Sequence, residues 1–155
     1  MDQATTTAPP LPRWDLSPFF PSVGDRRFAA ATEAVVADVA RLRALHDAHD
    51  IHGGPPRPAT DADRRALAEI IEATNALGEQ LRLVNAYLYA RVTTDARDDE
   101  AAAAQSRLQQ QTAALGGLTK RLEAWIARLG PDALLDGAPP VVAEHAFVVQ
   151  RAAGA

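Results

Sequence analysis

The sequence predicts an all-α fold, a bundle of long antiparallel helices with a central helical hairpin. Three observations lead there. The chain is 47% hydrophobic but only 5% aromatic, with Ala dominant, so its core must be built from Leu, Val, Ile and Ala. Ala loses no side-chain entropy in a helix and Leu and Arg lose little, which favours that conformation. Apolar residues recur at steps of three and four, and strand-like alternation never persists outside those registers. With 155 residues, one ordinary domain can bury about two-thirds of its unfolded surface.

The first helix is predicted to start after Ser22 or Asp25, either of which can cap it, and to run to about Ile51. Phe28, Val35, Val39, Leu42 and Leu45 form its apolar face. His52-Gly53-Gly54-Pro55-Pro56 is expected to end it, with Gly taking a left-handed exit and Pro unable to continue the ladder. A second helix starts at Thr60, a cap followed by Asp61 and Asp63 at the positive end of the dipole. Leu67, Ile70, Thr74, Leu77, Leu81, Val84 and Leu88 make a heptad-like seam. Carried to Val92, this helix is about 45 Å long.

Thr93, Thr94 and Asp95 break the pattern, and 95-DARDDE-100 supplies the acidic first turn of a third helix. Ala104, Gln111, Leu118 and Trp125 form one heptad row there; Leu108, Leu115, Leu122 and Leu129 form the other. Gly116-Gly117 interrupts it at a cost of about 1 kcal/mol per Gly, which implies either a kink or a close backbone approach. Gly130-Pro131 stops it, 132-DALLD-136 makes a short turn of helix, and a last helix begins near Val141. Short connections between long helices imply antiparallel neighbours, so the second and third helices are expected to pair as the hairpin. No internal repeat is present.

Charge and composition narrow the function classes. A net charge of −4 argues against a nucleic-acid partner, because phosphate binding needs a basic surface. No Cys is present, so disulfides and thiolate metal sites are out and a reducing cytoplasm fits. No apolar run reaches the ~18 residues of a membrane span, so no membrane partner is expected. Residues 1–12, rich in Thr and Pro and without the regions of a signal peptide, read as a disordered lead-in to a domain over 13–155.

Candidate chemistry is sparse. His46 and His49 share a helix face at a usable metal-ligand spacing, with His52, Asp47 and Asp50 nearby. A helix C-terminus, whose free carbonyls attract such donors, already accounts for them. The run 95-DARDDE-100 lacks the Gly and the bidentate Glu of a calcium loop; Ser106 stands where that Glu would be. His145 follows Glu144 but has no second His at zinc-protease spacing, and the chain contains no HExxH, GxSxG, GxGxxG or P-loop motif. Tyr87, Tyr89, Arg82 and Arg91 are candidates for lining a peptide channel, although a Tyr on such a helix is more often a core residue keeping its hydroxyl wet. No residue is assigned as catalytic, cofactor-binding or metal-binding.

One segment fits none of these helices. In 12-PRWDLSPFFPSVGD-25, Trp14, Phe19 and Phe20 stand among three prolines. Together with 75-NALGEQLRLVNAYLYARVTTDARDDEAAAAQSRLQ-109 and the later LEAWIARLGPDALL and VVAEHAFVVQRAA, it resembles the N-terminal helical domain of the oligoendopeptidase F family. These are zinc metallopeptidases related to thimet oligopeptidase. The resemblance runs from about Leu11 to Ala152 and is most specific at Trp14-Asp15-Leu16-Ser17, at Tyr87 to Glu100 and at Glu144-His145-Ala146-Phe147.

The resemblance implies a helical wall of an enclosed cleft that admits short peptides. Trp14, Phe19 and Phe20 would anchor the opening segment to a helical neighbour, prolines holding the backbone extended. Zinc would sit in a catalytic domain that lies beyond Ala155, so this chain is expected to be a truncated piece without cofactor or peptidase activity of its own. Val141, Val142, Ala146, Phe147, Val148 and Val149 leave the last helix almost no polar face, and it is expected to meet the missing catalytic domain or a partner helix. The other reading is a free-standing helical interaction module that uses this same helix and the heptad seams.

Overall fold

The computed structural model describes residues 15–152 and residue 154. The lead-in over 1–12 and the ring of Trp14 lie outside the described residues. Among those described there are seven helices and no strand: α1 (Arg26–Ala48), α2 (Asp61–Thr94), α3 (Asp99–Thr112), α4 (Ala114–Leu129), α5 (Pro131–Leu135), α6 (Pro140–Glu144) and α7 (Ala146–Ala152). The fold is all-α. No described helix is long and apolar enough to cross a membrane.

Asp25, one of the two expected caps, starts α1 by accepting the Arg27 N–H at 2.8 Å. Its exit differs from expectation. The left-handed residue is Asp50, φ 52°, and neither Gly53 nor Gly54 has a positive φ. Asx residues tolerate that conformation, so the chain turns there and α1 stops at Ala48 rather than Ile51. The Ile51 N–H returns to the His46 carbonyl at 2.9 Å and the Ile51 side chain is fully buried. Gly53 serves a different purpose: a Cβ there would lie 3.1 Å from Ala124 Cβ on α4. Its missing side chain lets α4 come close.

Thr60 and Asp63 open α2 with a reciprocal capping box. The helix runs 34 residues, ending at Thr94 just past the expected Val92. It lies antiparallel to α1: Phe28 at the start of α1 meets Tyr87 late in α2, and His49 beyond α1 bonds Glu69 early in α2. Leu67, Ile70, Leu77, Val84 and Leu88 of the seam are buried, while Thr74 is exposed and donates its hydroxyl back to the Ile70 carbonyl. The broadest packing of α2 is with α1, ahead of α3.

The expected third helix is two helices. The break falls at Ala113, where the Thr112 hydroxyl bonds the Leu108 carbonyl at 2.9 Å and the Ala113 N–H turns to the Gln110 carbonyl at 3.4 Å. The same Thr bond occurs inside unbroken stretches of α1, α2 and α4, at Thr32, Thr74 and Thr119, so it does not by itself account for the break. Neither account of Gly116-Gly117 holds: the break lies before them, and a Cβ at either would meet no atom within 4 Å. After the break α4 packs against the end of α1, α5 and α7, so the α2 hairpin pairs along α3. The heptad rows register this, with Leu108, Leu118, Trp125 and Leu129 buried but Gln111 exposed.

Gly130, φ 82°, and Pro131 end α4 and open α5 as the sequence requires. The last helix also divides, at His145, into α6 on α2 and α7 on α4. The C-terminal segment therefore bridges α2 and α4.

Candidate functional site

The opening motif forms a compact turn. Asp15 Oδ1 accepts the Ser17 N–H at 3.0 Å and the Ser17 hydroxyl at 2.6 Å, which holds the Asp15 carboxyl below its usual range. The Leu16 carbonyl accepts the N–H groups of Phe19 and Phe20 at 3.0 and 3.2 Å. That turn drives one ring inward and one outward. Phe20, 5% exposed, stands edge-on to Phe28 and Tyr87, with centroids 5.4 and 5.0 Å away. Phe19 is 55% exposed, so of the three expected anchors Phe20 serves, Phe19 does not, and Trp14 lies outside the described residues.

Beside this cluster is a cavity of about 250 Å³, lined by Asp15, Leu16, Ser17, Phe20 and Pro21 from the turn and by Arg91, Thr94, Asp95 and Asp98 from the α2–α3 corner. The opening turn and the α2–α3 corner thus meet here. Arg91 is engaged: its Nη2 lies 2.6 Å from Asp98 Oδ2 and its Nε donates to the same oxygen at 2.8 Å. Asp98 also caps α3 by accepting the Ala101 N–H at 2.9 Å; that bond and Arg91 hold its carboxyl below the usual range. With Arg91 matched to Asp98, Asp15 and Asp95 give the cavity a net negative lining. The Tyr87 hydroxyl is buried without a hydrogen-bond partner, and burial pushes its pKa up.

The other sequence candidates disperse. Tyr87 is a core residue and Tyr89 is exposed, so with Arg91 tied to Asp98 these residues do not line one channel. The histidines take separate partners. His46, 1% exposed, donates Nδ1–H to the Leu42 carbonyl at 2.8 Å, while its Nε2 is buried without a partner. His49 Nε2 bonds Glu69 at 2.9 Å, and His52 contacts Asp50 and its neighbour's carbonyl. Among the described residues no three His, Asp or Glu side chains converge as metal ligands.

Two features escaped the sequence reading. Asp63 does more than favour the helix dipole: Arg57 grips it with two bonds of 2.7 and 2.8 Å, from a connector that carries no helical pattern. Arg121 and Arg128 of α4 bond the Ile51 and Pro55 carbonyls, tying α4 to that same connector.

The second candidate surface lies where α2 and α4 part. Leu67 and Ile71 of α2, Leu122 and Ile126 of α4 and Val148 and Val149 of α7 line an apolar cleft of about 320 Å³. His145 stands at its rim, with Nδ1–H donated to the Val141 carbonyl at 2.8 Å and Nε2 facing the Asn75 amide at 3.2 Å. Val142 and Val149 are buried, but Phe147 is 74% and Val148 61% exposed. Comparison with protein-family models, with curated proteins and with solved structures finds no match to this chain.

Proposed function

We propose that this chain is a non-catalytic, substrate-enclosing helical domain of the kind that walls the cleft in oligoendopeptidase F-like zinc peptidases, acting with a separate metal-bearing domain. The observation that carries the reading is the meeting of the Asp15–Phe20 turn with Arg91–Asp98 around one cavity. Its lining suits a short peptide carrying an ammonium or guanidinium group, because Asp15 and Asp95 remain to balance such a charge. The α7 face takes a second role, as the seat of a partner helix, since exposed apolar residues beside a cleft mark interaction surfaces.

The test is a titration of the full chain with a fluorescent, lysine-containing pentapeptide, followed by mass analysis of that peptide with and without zinc. The reading expects saturable binding with a Kd of about 1 mM or tighter, and no cleavage. Zinc-dependent cleavage by this chain alone, or absence of binding, overturns it.

A further inference from the structure

The Asp15–Phe20 turn walls a second, smaller cavity of about 130 Å³, lined by Leu16, Phe19, Leu83, Ala86 and Tyr87. Leu16 lines this cavity and the acidic one, so it is their common wall. The two differ in chemistry. No charged side chain lines the smaller, whereas Asp15, Asp95 and Asp98 outnumber Arg91 in the larger. Among the described residues Asp15 bonds Ser17 through Oδ1, which leaves Oδ2 for a cation. Phe19 and Leu83 are large, apolar and 55% and 40% exposed, and both border the smaller cavity. Their exposure is what the rim of an apolar binding pocket requires.

The cavities follow one another along α2. Leu83 and Tyr87 line the first and Arg91 and Thr94 the second, at steps of four, four and three that keep to one side of a helix. About seven residues separate the two pairs, or about 10 Å at the helical rise. In an extended peptide, residues two apart point to the same side about 7 Å from each other. The long stem of a Lys side chain covers the remainder. An apolar cavity of about 150 Å³ admits a benzene-sized guest, so the smaller cavity suits a branched aliphatic side chain.

Building on the reading of this corner as a peptide site, we propose that it selects two residues at once. A cationic residue enters the acidic cavity at Asp15 and Asp95, and a branched aliphatic residue two positions away enters the cavity between Phe19 and Leu83. The occupant of the apolar cavity is a side chain of the same peptide, because a cation held at Asp15 brings its neighbours to the other side of Leu16.

Chemical-shift titration of the isotope-labelled full chain with end-blocked pentapeptides tests it. Each peptide carries one Lys and, two residues away in either order, Leu, Ala or Trp. In its better order the Leu peptide should bind about tenfold tighter than its Ala counterpart. Trp should show no such gain, because its indole exceeds the cavity. Ala86→Leu exchanges two good helix formers at an exposed position and fills the cavity, so it should bring the Leu and Ala peptides to equal affinity. Lys peptides that bind alike with Leu or Ala keep the acidic cavity as a peptide site and overturn the apolar one. A Leu advantage that Trp matches, or that survives Ala86→Leu, is unselective apolar adhesion and overturns it too. Absence of binding by every Lys peptide overturns both the paired selection and the peptide site beneath it.

Discussion

The Phe20 ring stands edge-on to Tyr87, centroids 5.0 Å apart at 79°, and joins a segment with no helical pattern to the longest helix. Phe28 closes the cluster from α1. The rings bury a large apolar area in a chain otherwise poor in aromatics. Phe20→Ala should therefore cost about 3–5 kcal/mol in urea unfolding, whereas Phe19→Ala, at an exposed ring, should stay within about 0.5 kcal/mol. Equal losses would contradict the inward–outward assignment.

Asp63 holds the connector to α2. Arg57 bonding comes first, with the Thr60 bonds, in keeping its carboxyl far below the ordinary carboxylate range. A depressed folded pKa means that its contribution is complete above the unfolded value near 3.8 and is lost as pH falls below it. Asp63→Asn should cost about 1–2 kcal/mol at neutral pH and flatten the stability profile below about pH 4. An unchanged acid slope in that variant counts against the Arg57 clasp.

His46 acts in a higher window. Burial lowers its pKa against the bond to Leu42, with Arg121 of α4 adding to the effect and Asp47 opposing it. The unfolded chain binds this proton more readily than the native one, so stability rises with pH through the unfolded value near 6.5 and falls below it. His46→Leu should remove the slope between about pH 5 and 7. Persistence of that slope would assign it to another group.

The helix count shows where sequence reading succeeds and where it stops. Caps at Asp25 and Thr60 were legible because a short polar side chain satisfies orphan N–H groups locally, and the period of α2 placed Leu67, Ile70, Leu77, Val84 and Leu88 inside, though not Ile71 or Ala73. The break at Ala113 was not: no local residue marks it, and the visible Gly pair invited the wrong location. Contacts between distant segments were equally hidden: nothing local pairs Phe20 with Tyr87 or sets Gly53 against Ala124.

The glycines provide a contrast in one experiment. Gly116→Ala and Gly117→Ala enter open space on a helix and should each stabilise by about 0.5–1 kcal/mol. Gly130→Ala forces a side chain into φ 82° and should destabilise by about 1–2 kcal/mol. Thermal melts of the three variants check the signs.

Amide chemical-shift mapping of the isotope-labelled full chain, titrated with the lysine-containing pentapeptide, examines the peptide corner residue by residue. Shifts concentrated at Asp15–Pro21 and Arg91–Asp98, and abolished by Asp95→Asn with Asp15→Asn, are the predicted result. Shifts centred elsewhere, or a spectrum that the peptide leaves untouched, would contradict it.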